Sequence, residues 1–152
     1  MKFWILSCLM ITMFSLTASA ESRVDSIVHQ YYRQTTKQVV PPNCRPQTSC
    51  FQVACDKLSK FECDEISEQN QIRNACRNVW GGECIEQSTQ LLGQFEYDDL
   101  EEMVQLVQSC RGVFDLNCVK YSCDRLGRFG CDDLEEIAQV NQSCANSYPF
   151  YH

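Results

Sequence analysis

Residues 118–144 read CVKYSCDRLGRFGCDDLEEIAQVNQSC, and the same frame fits twice more upstream without a gap: CIEQSTQLLGQFEYDDLEEMVQLVQSC over 84–110 and CFQVACDKLSKFECDEISEQNQIRNAC over 50–76. Cys50, Cys84 and Cys118 open the copies and Cys76, Cys110 and Cys144 close them, each set at intervals of 34 residues. Leu58, Leu92 and Leu126 share a column, as do Phe61, Phe95 and Phe129, Asp64, Asp98 and Asp132, and Glu68, Glu102 and Glu136. A fixed period of this length denotes stacked supersecondary units, none of which buries a core alone. The repeats are therefore 50–83, 84–117 and 118–151.

Each copy reads as a helical hairpin. The first helix is expected over about Cys50 to Ser59, Cys84 to Leu92 and Cys118 to Leu126, with Gly93 or Gly127 just past the end suited to a left-handed cap. For the second helix, Asp98 and Asp132 stand three residues before Glu101 and Glu135, the spacing of an N-cap with a capping-box carboxylate. Leu100, Met103, Val104 and Val107 make its buried stripe in the middle copy, continued by Leu134, Ile137 and Ala138 in the third. It is expected to stop near Cys110, since Gly112 follows. Upstream, Val24, Ile27, Val28 and Tyr31 form one more helical stripe, which ends before Pro41-Pro42. The expected fold is all-α: a disulfide-stapled stack of three 34-residue hairpins (within 44–152), with an N-terminal capping helix and Pro-rich linker (21–43) laid against the first repeat.

The cysteines refine this reading. Cys55 and Cys63 lie eight apart and bracket a hairpin turn, Cys123 and Cys131 repeat the arrangement, and in the middle copy both positions change together, to Thr89 and Tyr97. Joint loss is what a bonded pair shows. Leu91, Met103, Val104 and Val107 replace Lys57, Gln69, Asn70 and Arg73 of the first copy. Burying such groups stabilises by roughly 1.5–3 kcal/mol each, comparable with about 2–4 kcal/mol for one bridge, so packing can stand in for the staple. Two schemes remain for the other seven cysteines. One closes each hairpin, Cys50–Cys76, Cys84–Cys110 and Cys118–Cys144, leaving Cys44. The other crosses the connecting loops, Cys76–Cys84 and Cys110–Cys118 with Cys44–Cys50, leaving Cys144. The first is preferred because it closes every repeat. In either case one thiol is left over, which points to a reactive thiol or a disulfide-linked dimer.

The chain opens with Lys2, an apolar run from Phe3 to Leu16 and Ala18-Ser19-Ala20, the pattern of a signal peptide (1–20) cleaved after Ala20. Cys8 would leave with it, so 11 of the 12 cysteines stay. A cysteine-rich chain behind an export signal places the protein outside the cytosol, secreted or periplasmic. Removing Lys2 leaves 12 basic against 20 acidic residues, which argues against nucleic acid and anionic membrane surfaces as partners. No later segment is apolar enough to span a membrane. Structural zinc is disfavoured, since no C-x2-C pair is present.

The 34-residue helical-hairpin period from Cys50 to Cys144 resembles tetratricopeptide repeats, and the eight-residue spacing of Cys55 to Cys63 and Cys123 to Cys131 resembles the secreted, cysteine-rich relatives of that class. The resemblance implies a stacked superhelix that binds peptides or proteins, and it carries over no catalytic residue.

Catalytic chemistry has little to draw on. The histidines are His29 and His152, so no nucleophile–base pair or cofactor site suggests itself, and the chain is read as a non-enzyme. The acidic runs 98–102 and 132–136 lack the alternating ligands and central Gly of a calcium loop and read as capped helix starts. Asn141-Gln142-Ser143 is a formal glycosylation sequon inside an expected helix. Two features suit binding: Trp80, Phe114 and Tyr148, which recur at the repeat period and also suit aromatic seals between hairpins, and Gln69, Asn70 and Arg73, which make one face of the first copy polar. The leading function is an exported scaffold for a protein or peptide partner. The alternatives are a protease inhibitor or toxin-like effector presenting Lys60 and Arg128 at hairpin tips, and a redox role for the leftover thiol.

Overall fold

A computed structural model describes residues 23–34, 48–58, 62–93, 96–127 and 130–146. The expected signal segment, Cys44, Lys60, Arg128, Tyr148, His152 and the Phe61, Phe95 and Phe129 column lie outside them. Among the described residues there are seven α-helices and no strand: α1 (23–34), α2 (Cys50–Lys57), α3 (Ile66–Ala75), α4 (Glu83–Leu91), α5 (Leu100–Ser109), α6 (Leu116–Leu126) and α7 (Leu134–Asn146). No described helix is long and apolar enough to cross a membrane.

The start signals act one residue later than the acidic spacing suggested. Asp99, not Asp98, caps α5, accepting from the Glu102 N–H at 2.9 Å, and Asp133, not Asp132, accepts from the Glu136 N–H at 2.8 Å. Leu100 and Leu134 are the first helical residues, so only the acid directly before each reaches the open amide three residues on. In the first copy Glu65 and Glu68 form the same box reciprocally. The stop signals also differ. Gly93 has no positive φ, whereas Gly127 has φ 92°, and a left-handed turn after α3 and after α5 falls on one repeat column, Asn78 at φ 67° and Gly112 at φ 77°. α6 begins at Leu116 rather than Cys118 because Asp115 caps it, accepting from the Asn117 N–H at 3.1 Å.

Five bridges tie these helices: Cys50–Cys76, Cys84–Cys110 and Cys118–Cys144 join α2 to α3, α4 to α5 and α6 to α7, with Cα–Cα separations of 5.8, 5.8 and 5.9 Å. Cys55–Cys63 and Cys123–Cys131 each span 5.6 Å. Where the middle copy has no such bridge, Thr89 is buried and donates to the Glu86 carbonyl at 3.0 Å, and Tyr97 packs partly buried on the core. α3 packs on α5 and α5 on α7, while α2 touches α4 and α5, and α4 touches α6. Ile72, Ile85, Met103, Leu106, Val119, Ile137 and Val140 are fully enclosed between them.

Contacts recur at the repeat period. Val53 of α2 lies against Gly82, and 34 residues on Gln87 Nε2 donates to the Leu116 carbonyl at 2.9 Å. The next position in that column is Tyr121, whose ring meets Tyr31 of α1 at 5.3 Å. In a second column Ala75 accepts from Arg111, Ser109 from Asn141, and Ser143 donates to Asp25 of α1 at 2.8 Å. α1 was expected on the first repeat; instead these contacts, with Tyr31 Oη on Asp115 (2.7 Å) and Tyr32 Oη on the Cys144 carbonyl (3.2 Å), seat it on α6 and α7. The reason is polarity. The outer side of α3 carries Asn70 and Arg73 into solvent, whereas α6 and α7 present a face that Val24, Val28, Tyr31 and Tyr32 cover.

Candidate functional site

The outer side of the first repeat is where the sequence candidates gather. Arg73 and Asn70 are exposed on α3 and Gln69 is half-buried, its Nε2 donating to the Cys63 carbonyl at 3.3 Å. Arg73 donates to Gln69 Oε1 at 3.4 Å and lays its guanidinium over the Phe51 ring, 4.7 Å from the centroid. That stacking shields a ring which the core leaves half open, and it holds a cation at the surface. Beside it lies an open depression of about 340 Å³ lined by Thr48, Ser49, Phe51, Arg73, Val79 and Gly81, with the Cys50–Cys76 bridge at its floor. The equivalents of Phe51 and Arg73 in the second copy, Ile85 and Val107, are wholly buried, so the same ground is filled there and vacant here. Asn70 shares the polar side but does not line the depression.

Trp80 stands in the chain between Val79 and Gly81, which line the depression, and does not line it itself. It is 56% exposed, and its ring meets Phe114 of the next copy edge-on, centroids 5.6 Å apart at 64°. The contact links successive copies, yet more than half of the indole stays in water, so one group seals and presents at once. Ile66, 76% exposed, is the other large apolar side chain in solvent among the described residues, at the opposite end of α3. The third aromatic of the column, Tyr148, lies outside the described residues, as do Lys60 and Arg128, on which the inhibitor reading depends.

No family model, curated protein or solved structure matches this chain. The surfaces must therefore be read from their own chemistry. Asp132, Asp133 and Glu136 place carboxylate oxygens within 4.8 Å of one another. Asp133 already caps α7, and the cluster sits where a helix start attracts negative charge. Enclosure lifts the carboxyl of Glu136 above its ordinary range, with Asp133 and Asp132 adding to it, and Glu102 is lifted by enclosure and by Asp99. One oxygen of each, Oε2, is enclosed without a hydrogen-bond partner.

Sequence reasoning missed two arrangements. One is the α6–α7 face under α1. The column Val53, Gln87, Tyr121 marks it, since each member touches whatever follows its repeat, but the identity of that cover in the third copy is not a local property. The other is a buried polar knot: Asn141 is fully enclosed and donates through Nδ2 to Ser88 Oγ (3.1 Å) and Ser109 Oγ (3.0 Å). The sequon asparagine is thus part of the core and inaccessible to a glycosyl transfer in the folded chain. Five bridges of this kind fit an oxidising extracellular environment.

Proposed function

We propose that the protein is an exported scaffold, secreted or periplasmic after removal of residues 1–20, and that it binds a protein or peptide through the outer side of its first repeat. In this reading 50–83, 84–117 and 118–151 form a stack of disulfide-stapled hairpins in the manner of tetratricopeptide-like repeats. α1 ends the stack by occupying the place of a fourth repeat, supported by the recurrence of the Val53, Gln87 and Tyr121 contacts. The observation that carries the functional reading is Trp80, 56% exposed and set in the chain between Val79 and Gly81, which line the depression holding Phe51 and Arg73. A rigid aromatic, a stacked guanidinium and a preformed hollow are the ingredients of an interface anchor.

The test uses the indole itself. Of the two tryptophans, Trp4 lies in the leader, so Trp80 is the single emitter of the processed chain. Partners recovered from the native compartment on the processed protein should shift its emission to the blue on binding. Trp80→Ala should weaken capture by roughly 30-fold or more, the scale of about 2 kcal/mol for an anchor residue. Unchanged emission at saturation, together with unchanged capture by Trp80→Ala, would remove this surface from the binding reaction.

A further inference from the structure

Arg73 carries the only charge among the described residues that line the first-repeat depression. The segments that build it, 48–55 and 69–82, contain two arginines and no aspartate or glutamate, in a chain of 20 acidic against 13 basic residues. Arg73 itself meets neutral groups: it donates to Gln69 Oε1 and stacks on the Phe51 ring, and among the described residues no carboxylate pairs with it. A guanidinium laid flat on a ring is held in one pose, and its remaining in-plane N–H donors match a carboxylate with paired hydrogen bonds. Phe51 and Val79 add apolar wall, and the Ser49 hydroxyl, which makes no capping bond to α2, adds a donor. In the second copy the places of Phe51 and Arg73 go to Ile85 and Val107, and in the third to Val119 and Asn141. All four are wholly buried, so the arrangement belongs to the first repeat.

We infer that the depression takes a peptide segment carrying a glutamate or aspartate beside an apolar side chain, the carboxylate pairing with Arg73 and the apolar group lying on Phe51 and Val79. This rests on the reading of the first repeat as the binding side, and it names the chemistry of the partner there. Charge complementarity carries it: the site holds a fixed cation and no anion of its own, so the ligand supplies the carboxylate. Because the depression is open, a peptide can pass through it, and the acid it offers is a side chain within the peptide rather than a chain end. The Debye length is about 8 Å at physiological ionic strength, so Arg73 acts at contact while the more distant acidic residues of the chain are screened. The acid is therefore recognised locally, and a partner that is acidic throughout gains nothing from the rest of the surface.

The probes are N-acetylated, C-amidated decapeptides with a central Glu between randomised neighbours, and the same set with Gln in its place, offered to the immobilised processed protein. Peptides retained from the Glu set should carry an apolar residue next to the Glu. A chosen binder should lose roughly 10-fold or more in affinity when its Glu becomes Gln, the scale of a charge-assisted hydrogen-bonded pair. Arg73→Gln should bring the Glu and Gln forms of that peptide to equal affinity, and Arg73→Lys should keep part of the difference, since the charge stays and the planar fork goes. Equal binding of the two sets to the parent chain overturns the inference, and so does a Glu preference that survives in Arg73→Gln. Retention that needs a free C-terminal carboxylate overturns it as well, as does a Glu set that is not retained at ~1 mM. If Arg73→Gln loses its helix signal, the Glu–Gln comparison on the parent and on Arg73→Lys decides. Trp80→Ala separates this from the broader reading: should it weaken capture of native partners while Glu and Gln peptides bind the parent alike, the first repeat is the binding side and its ligand is not an acid.

Discussion

At the scale of single residues, enclosure and close packing set measurable costs. Glu102 and Glu136 each hold an enclosed oxygen without a partner, and both carboxyls are lifted above their ordinary range. A raised carboxyl in the folded chain means that the fold takes up a proton more readily than the unfolded chain. The associated stability is present below the ordinary carboxylate range and is lost as pH rises through the raised value. Glu102→Gln, which is neutral throughout, should therefore melt higher than the parent at pH 7, with the gap closing on acidification toward pH 4. A gap that widens in acid would reverse the assignment. Gly82 illustrates packing. A methyl group there would collide with the Val53 side chain across the boundary between first and second copies. Gly82→Ala should cost about 1–3 kcal/mol in a denaturant melt, while alanine at Gly93, where the nearest atom would be 3.9 Å away, should cost far less.

Among the elements, the disulfide-joined helix pairs differ in what closes them. α2–α3 and α6–α7 have two bridges each and α4–α5 has one, with Thr89 and Tyr97 packed where the second would be. Cys55→Ser and the double change Cys55→Ser with Cys63→Ser should lose similar stability, about 2–4 kcal/mol, because one bridge disappears in both. A double change that costs much more than the single would mean that the two thiols act separately. Bringing the Cys55–Cys63 arrangement into the middle copy, Thr89→Cys with Tyr97→Cys, would remove core packing as it adds a staple, so the gain should fall short of a full bridge.

For the molecule as a whole, far-UV circular dichroism should be dominated by helix and should lose most of that signal on reduction, since thin hairpin cores depend on their bridges. A reduced protein that keeps its helix signal would place the stability in packing alone. The all-helical class was legible because the repeat places capping acids, apolar stripes and Cys anchors at the same offsets three times. Helix starts were misplaced by one residue because Asp98-Asp99 and Asp132-Asp133 offer two candidate caps in tandem, and only geometry selects the second. The polar side of the first copy was legible in Gln69, Asn70 and Arg73, since a polar residue in an apolar column reports solvent. Where α1 sits was not, because its stripe is compatible with any apolar face, and the choice between the two ends of the repeats depends on which end the other helices leave uncovered.

The seating of α1 on the last repeat has a bearing on how the chain is made. Synthesis runs from the amino end, so the helix carrying Val24, Val28, Tyr31 and Tyr32 emerges well before Asp115, Tyr121 and Cys144, which receive it. Each disulfide-joined helix pair can oxidise as it appears, its bridges spanning only 26 or 8 residues, but α1 must wait until residue 144 has been made. A chain not yet made as far as Cys144 therefore shows Tyr31 and Tyr32 to the surroundings and a longer one hides them, so this contact reports that α6 and α7 have been made.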